Sequence, residues 1–126
     1  IAVGAVNADK AVTSFSTRGE HVALCAPGER VLSAGLEGYQ FVTGTSFAAP
    51  FVAAAAALLA SRASRRAVPI DAAAVRALLV GSAQAFSGKP VSGCGAGILD
   101  AAAALAALDA MIDRSRSDDP PQTEDG

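Results

Sequence analysis

The sequence predicts an α/β fold with a mostly parallel sheet, of which this chain holds an incomplete share. Three observations predict it. Short apolar runs at Ile1–Val6 and Val22–Ala26 read as strands covered on both faces. A long apolar stretch from about Thr45 to Arg62 reads as a central helix. Segments led by Asp71 and Asp100 read as capped helices around it. Two core strands, a hairpin and three helices are too few for a doubly wound sheet. They leave the edge of Ile1–Val6 and one side of the central helix uncovered. That surface predicts tight association with further polypeptide, or aggregation.

Each element follows from local chemistry. Asn7-Ala8-Asp9-Lys10 is a polar turn, and Val12 to Gly19 has loop composition. Pro27-Gly28 ends the second strand. Val31–Ala34 and Tyr39–Val42 form a hairpin, with Gly35-Leu36-Glu37-Gly38 as a loop of about four residues. The central helix is apolar on nearly every face. Its apolar run from Phe47 to Ala60 is 14 residues, short of the roughly 18–20 that span a bilayer, so it reads as a core helix. Pro50 cannot donate to the Ser46 carbonyl and its ring crowds it, which predicts a distorted first turn. Arg62–Val68 reads as a basic surface linker. The Asp71 helix runs to about Val80, and Gly81–Pro90 is loop. Gly93-Cys94-Gly95-Ala96-Gly97 is a tight glycine segment before Ile98-Leu99. Asp100 caps a last helix from about Ala101 to Arg114. Residues 115–126 are polar and read as a disordered tail or a linker.

Composition narrows the function classes. The chain has 126 residues, 52 % of them apolar and 5 % aromatic, with a formal charge of −2. That suits one small, alanine-rich core. Without a basic stripe, nucleic acid and anionic membrane are excluded as main partners. A strand that starts at Ile1, with no Met and no leader, predicts preceding polypeptide. Cys25 and Cys94 admit two readings: a disulfide closing a large loop, contributing about 4 kcal/mol, or two small buried hydrophobes. The pairing depends on Cα geometry. With one distant histidine, His21, the cysteine spacing matches no zinc site.

Ser46 is the candidate nucleophile. It stands between a small-residue turn and the first turn of the central helix, where unpaired N–H groups and the helix dipole favour negative charge. Gly44 permits close approach of a substrate backbone, Thr45 can cap the helix, and the Ser46 N–H is a candidate oxyanion donor. A Thr-Ser pair before an apolar helix is otherwise an ordinary cap.

The longer pattern decides between these. Gly44-Thr45-Ser46-Phe47-Ala48-Ala49-Pro50, followed by Phe51-Val52 and an alanine run, resembles the nucleophile motif of the subtilisin-like serine proteases, Gly-Thr-Ser-x-Ala-x-Pro-x-Val-x-Gly. Ile1–Val6, Ser14-Phe15-Ser16 and Ala26-Pro27-Gly28 are similar, in order, to segments preceding that motif. Gly95–Ala101 is similar to the closing segment. Phe51 stands where the family commonly has His, and Ala54 where it has Gly.

The resemblance implies the C-terminal part of a subtilisin-like three-layer fold over residues 1–114. It implies a serine endopeptidase acting through a Ser-His-Asp triad and an acyl-enzyme, with Ser46 as this chain's member. Gly44 and Thr45 would lie beside the substrate. The triad Asp and His and the oxyanion Asn come earlier in the family's chain order, so they fall to an N-terminal remainder of the same domain. His21 lacks the context of the family's base and reads as a surface-loop histidine. Asp9 reads as a turn residue. Without a base the Ser46 hydroxyl stays protonated, so this chain alone is expected to be inactive. The alternative is a non-catalytic binding or scaffold module on a degenerate version of the fold. The resemblance also implies export or a place in the cell envelope, and a peptide substrate chosen by pocket walls outside this chain. No cofactor or metal is expected here, calcium belonging, if anywhere, to the rest of the domain.

Overall fold

The structure is a computed structural model that describes residues 1–89 and 91–120. Two strands pair in parallel, β1 (Ala2–Val6) and β2 (Val22–Pro27), with Val3 opposite Leu24 and Val6 opposite Pro27. Both are almost wholly buried, as unbroken apolar runs require. The C-terminal segment lies along the other edge of β2. There Cys25 bridges Ile98 in parallel, the Cys25 N–H donates to the Gly97 carbonyl and the Leu99 N–H donates to the Cys25 carbonyl. The outer edge of β1 is partly covered by the loop that follows it: Val12 bridges Val6 antiparallel, the Thr13 N–H donates to the Ala5 carbonyl and the Ala5 N–H donates to Ser16 Oγ.

Strands β3 (Val31–Gly35) and β4 (Gly38–Val42) form a separate antiparallel hairpin. Its loop is tighter than the sequence suggests. Gly35 pairs with Gly38, so the ladder reaches both glycines and only Leu36-Glu37 remain to turn the chain. Gly38 has φ +131°, which a side chain would resist.

Helix α1 (Thr45–Arg65) crosses the sheet and contacts β1, β2, α2 (Ala72–Gly81) and α3 (Ala101–Ser117). Its buried residues are Ala48, Val52, Ala55, Leu59 and Ala63, a single stripe at helical spacing. The other side is uncovered, as the sequence predicts: Phe47, Phe51 and Leu58 are exposed there. By length and composition α1 also passes for a membrane span, at mean hydropathy 1.4, but its stripe is packed against the other elements.

Pro50 does not break α1, which runs continuously from Thr45. Nor does α1 end at Arg62. Arg62 and Arg66 ion-pair with Asp109 and Asp113 of α3, and this lattice carries both helices a turn further than composition suggests. The bidentate pair on Asp109 is made at 3.0 and 2.7 Å. On the other helix, Ser117 donates to the Asp113 carbonyl and Arg116 to the Arg66 carbonyl, so residues 115–117 are helical rather than tail. Pro90 and residues 121–126, part of the loop and tail readings, lie outside the described residues. The Asp71 and Asp100 caps are as read: each carboxylate accepts from the amide three residues on, at 2.8 and 2.9 Å.

Candidate active site

The site begins at the carboxyl ends of β1 and β2, where ligands gather in open α/β sheets. The Gly28 N–H donates to the Val6 carbonyl at 3.0 Å, and the Gly44 N–H donates to the Gly28 carbonyl at 2.7 Å. Two backbone bonds thus run from the sheet to the residue that opens α1. A Cβ on Gly28 would lie 2.6 Å from that of Ala5 and 3.0 Å from the Gly44 carbonyl oxygen, so the approach needs glycine. Gly28 is a positioning residue that the sequence shows only as the end of a strand. The Pro-Gly pair closing an apolar run was the available signal.

Gly44 is the N-cap of α1, at φ 155° and ψ 157°, a region essentially restricted to glycine. This corrects the reading of Thr45 as the cap. Thr45 is already the first helical residue, so the capping position falls to a residue with no side chain, and α1 has no side-chain cap bond. The Phe47 N–H donates to the Gly44 carbonyl at 3.1 Å. The N–H groups of Thr45 and Ser46 stay at the positive end of the helix, and no acidic residue occupies the first turn.

Ser46 is exposed at this turn, while Gly44 and Thr45 are half-buried. The Phe47 ring leans over Gly44: a Cβ there would meet ring atoms at 3.5 and 3.7 Å and the Ser46 Oγ at 3.7 Å. A second tie comes from the hairpin, where the Arg30 N–H donates to Thr43 Oγ1 at 2.9 Å and the Arg30 guanidinium stacks 5.0 Å from the Phe41 ring centre. Between β3 and the first turns of α1 lies a groove of about 330 Å³, lined by Val31, Leu32, Phe47, Pro50 and Phe51 among others.

The other candidates fall elsewhere. His21 is exposed and precedes β2, at the end of that strand opposite Gly28. Six extended residues separate the two by roughly 20 Å, so His21 is not brought to Ser46. Asp9 lies in the turn after β1, where Asn7 Oδ1 accepts from the Asp9 and Ala11 amides and the Asp9 carbonyl accepts from Ser87 Oγ at 2.7 Å. Cys25 and Cys94 are brought together as free, buried thiols, with Cys25 Sγ donating to the Cys94 carbonyl at 3.3 Å. Among the described residues no group of three His, Cys, Asp or Glu side chains converges as metal ligands.

This arrangement can present a hydroxyl to solvent beside the helix-start donors on a rigid backbone strut. Residues 1–97 match the model of the Subtilase family. The chain belongs to the subtilase family. It is 39 % identical over 115 residues to an extracellular protease of Xanthomonas campestris pv. campestris, covering 85 % of this chain and 19 % of that protein. It is 47 % identical over 60 residues to an intracellular serine protease of Paenibacillus polymyxa, covering 47 % of this chain and 18 % of that protein. Among solved structures it superposes on the patellamide maturation protease PatA with TM-score 0.76 at 36 % identity, over 86 % of this chain and 42 % of that one. The chain thus spans about a fifth of these curated relatives and under half of the solved protease.

Proposed function

We propose that this chain is the nucleophile-bearing part of a subtilisin-like serine endopeptidase. The observation that carries the reading is Ser46, exposed at a helix start that no side chain caps, within a subtilase match. Ser46 Oγ attacks a peptide carbonyl and gives its proton to an imidazole. The new C–O bond makes a tetrahedral oxyanion, which the Ser46 N–H meets at the positive helix end. Collapse breaks the C–N bond, the amine leaves with the proton, and water hydrolyses the acyl-enzyme.

The imidazole, its carboxylate partner and the second oxyanion donor come from the N-terminal remainder of the same catalytic domain. That remainder is seated on the apolar side of α1 and the hairpin, where Phe47, Phe51, Leu58, Leu32 and Phe41 are exposed. Gly44 and Thr45 border the substrate. This chain without the remainder is inactive, because a neutral serine hydroxyl is a poor nucleophile. The substrate is protein or peptide. Export is the location that the extracellular relative supports.

The test is a fluorophosphonate probe on the complete protein. Ser46 is expected to be labelled, and Ser46→Ala to abolish labelling and cut turnover by about 10⁶ without changing the melting temperature. Residues 1–126 alone are expected to stay unlabelled. A complete protein that leaves Ser46 unlabelled while folded refutes the reading in favour of a non-catalytic module.

A further inference from the structure

We propose that Cys25 and Cys94 are joined by a disulfide that fastens the C-terminal segment to the sheet behind the site. The two are 69 positions apart and meet with no solvent exposure at either. The meeting is built by glycine on three sides. Gly93 and Gly95 flank Cys94 at φ +74° and +75° and curl the chain back toward β2. A Cβ on Gly95 would lie 2.4 Å from the Ala23 carbonyl carbon and oxygen, so nothing larger lets that loop sit so close. Gly4 on β1 leaves the room that Cys25 Sγ fills, since a Cβ there would be 2.6 Å from the sulfur.

Around the pair, the Gly19 N–H donates to the Gly93 carbonyl, the Ala96 N–H to the Ala23 carbonyl and the Cys25 N–H to the Gly97 carbonyl. The two segments therefore run side by side with Cys25 opposite Ile98; Cys94 Sγ donates to the Ser92 carbonyl at 3.7 Å, so the bond requires that side chain to turn toward Cys25. Cys25 Sγ already lies 3.3 Å from the backbone oxygen of Cys94. Cys25 lies two residues before Pro27-Gly28, so the bond would fix the C-terminal segment to the strand whose end is tied through Gly28 to Gly44 at the start of α1.

The oxidant is a small-molecule disulfide such as oxidised glutathione, or the disulfide of an oxidoreductase. One cysteine thiolate breaks the oxidant's S–S bond and forms a mixed disulfide. The second thiolate displaces the remaining thiol. One S–S bond is broken and one formed; two electrons pass to the oxidant, and each cysteine has given up its proton. The order of events is also set. Burial raises the Cys25 thiol to about 11, so the folded dithiol holds little thiolate. The exchange belongs to folding, before the segment at 93–99 is seated.

The test refolds the complete protein from denaturant in oxidised glutathione, alkylates it under denaturing conditions without reductant, and maps the peptides. This does not depend on where the protein is exported or on whether Ser46 is a nucleophile. A peptide carrying Cys25 linked to one carrying Cys94, lighter by two hydrogens, is expected. So is a higher urea midpoint than for protein refolded in reductant. Native reduced protein is expected to keep both thiols on exposure to the same reagent. Two alkylated cysteines after oxidative refolding, or either one linked to a different cysteine, overturns the proposal.

Discussion

Helices α2 and α3 begin with a carboxylate, whereas α1 begins with a glycine. Asp71 and Asp100 each accept from an amide in the first turn, so their helix starts are satisfied from within the chain. At α1 the same position is Gly44, the first turn holds no acid, and Ser46 stands exposed beside unpaired N–H groups. A cap stabilises a helix by using up the donors that a developing oxyanion would otherwise meet. The difference separates two helix starts closed by a carboxylate from one that no side chain closes, as the proposed chemistry at Ser46 would need. What α1 lacks in a cap is offset by the strut from Val6 through Gly28 to Gly44.

The comparison breaks most sharply at Gly44. Its φ of 155° lies where a side chain is strained, so Gly44→Ala is expected to cost about 1–3 kcal/mol and to shift the turn that carries Ser46. In the complete protein acylation is expected to fall roughly a hundredfold, the effect of about an ångström of misplacement. Gly38→Ala is the control. Gly38 has φ +131° with open space around it, at the hairpin loop. It should lose stability and keep its acylation rate. If both variants acylate at the wild-type rate, the strut does not position the nucleophile.

What was legible beforehand divides along the same line. The caps at Asp71 and Asp100 were readable because a residue and the amide three positions on are close in any helix. The turn and helix start that hold Ser46 were readable because they are contiguous in sequence. The Gly28–Gly44 bond, the meeting of Cys25 with Cys94 and the ion-pair lattice between α1 and α3 join distant segments, and local propensity does not encode them. The cap of α1 was misplaced by one residue for a similar reason. Thr45 is a good capping residue, but the tie to Gly28 places Gly44 at the boundary. Which side of α1 the sheet covers was not readable from composition, since alanines lie on both faces and the buried stripe of Ala48, Val52, Ala55, Leu59 and Ala63 follows helical spacing rather than size.

Acid is the next way to sharpen the contrast, because only the capped helices start on a titrating group. The Ala103 N–H first, and the Gln84 side-chain amide second, hold Asp100 below its ordinary value of 3.8. A carboxyl depressed by folding stabilises the native state above its unfolded value, and that contribution is lost as pH falls through the folded value. Melting temperature followed from pH 7 to pH 3 is therefore expected to fall more steeply for the wild type than for Asp100→Asn. Asparagine still caps but does not titrate. Parallel curves would mean that Asp100 is not held by folding.

The smallest effect lies at the other end of α1 and inverts the logic of Gly44. Ala67 follows the last turn at φ +54°, where the Val68 N–H donates to the Ala63 carbonyl at 3.0 Å. This is the six-to-one bond of a Schellman ending, and its left-handed residue is usually glycine. Alanine in that conformation costs about 1–2 kcal/mol, while glycine gives back roughly 0.4–1 kcal/mol through a freer unfolded chain. Ala67→Gly is therefore expected to stabilise the protein by about 0.5–1 kcal/mol, read as a rise in the urea midpoint at unchanged slope. Acylation of Ser46 should not change, since the substitution lies past the opposite end of α1 from the open turn. One helix would then carry a glycine that its chemistry requires at its start and an alanine that its stability merely tolerates at its end. A loss of stability in Ala67→Gly would mean that the unfolded chain, not the strained turn, sets the balance there.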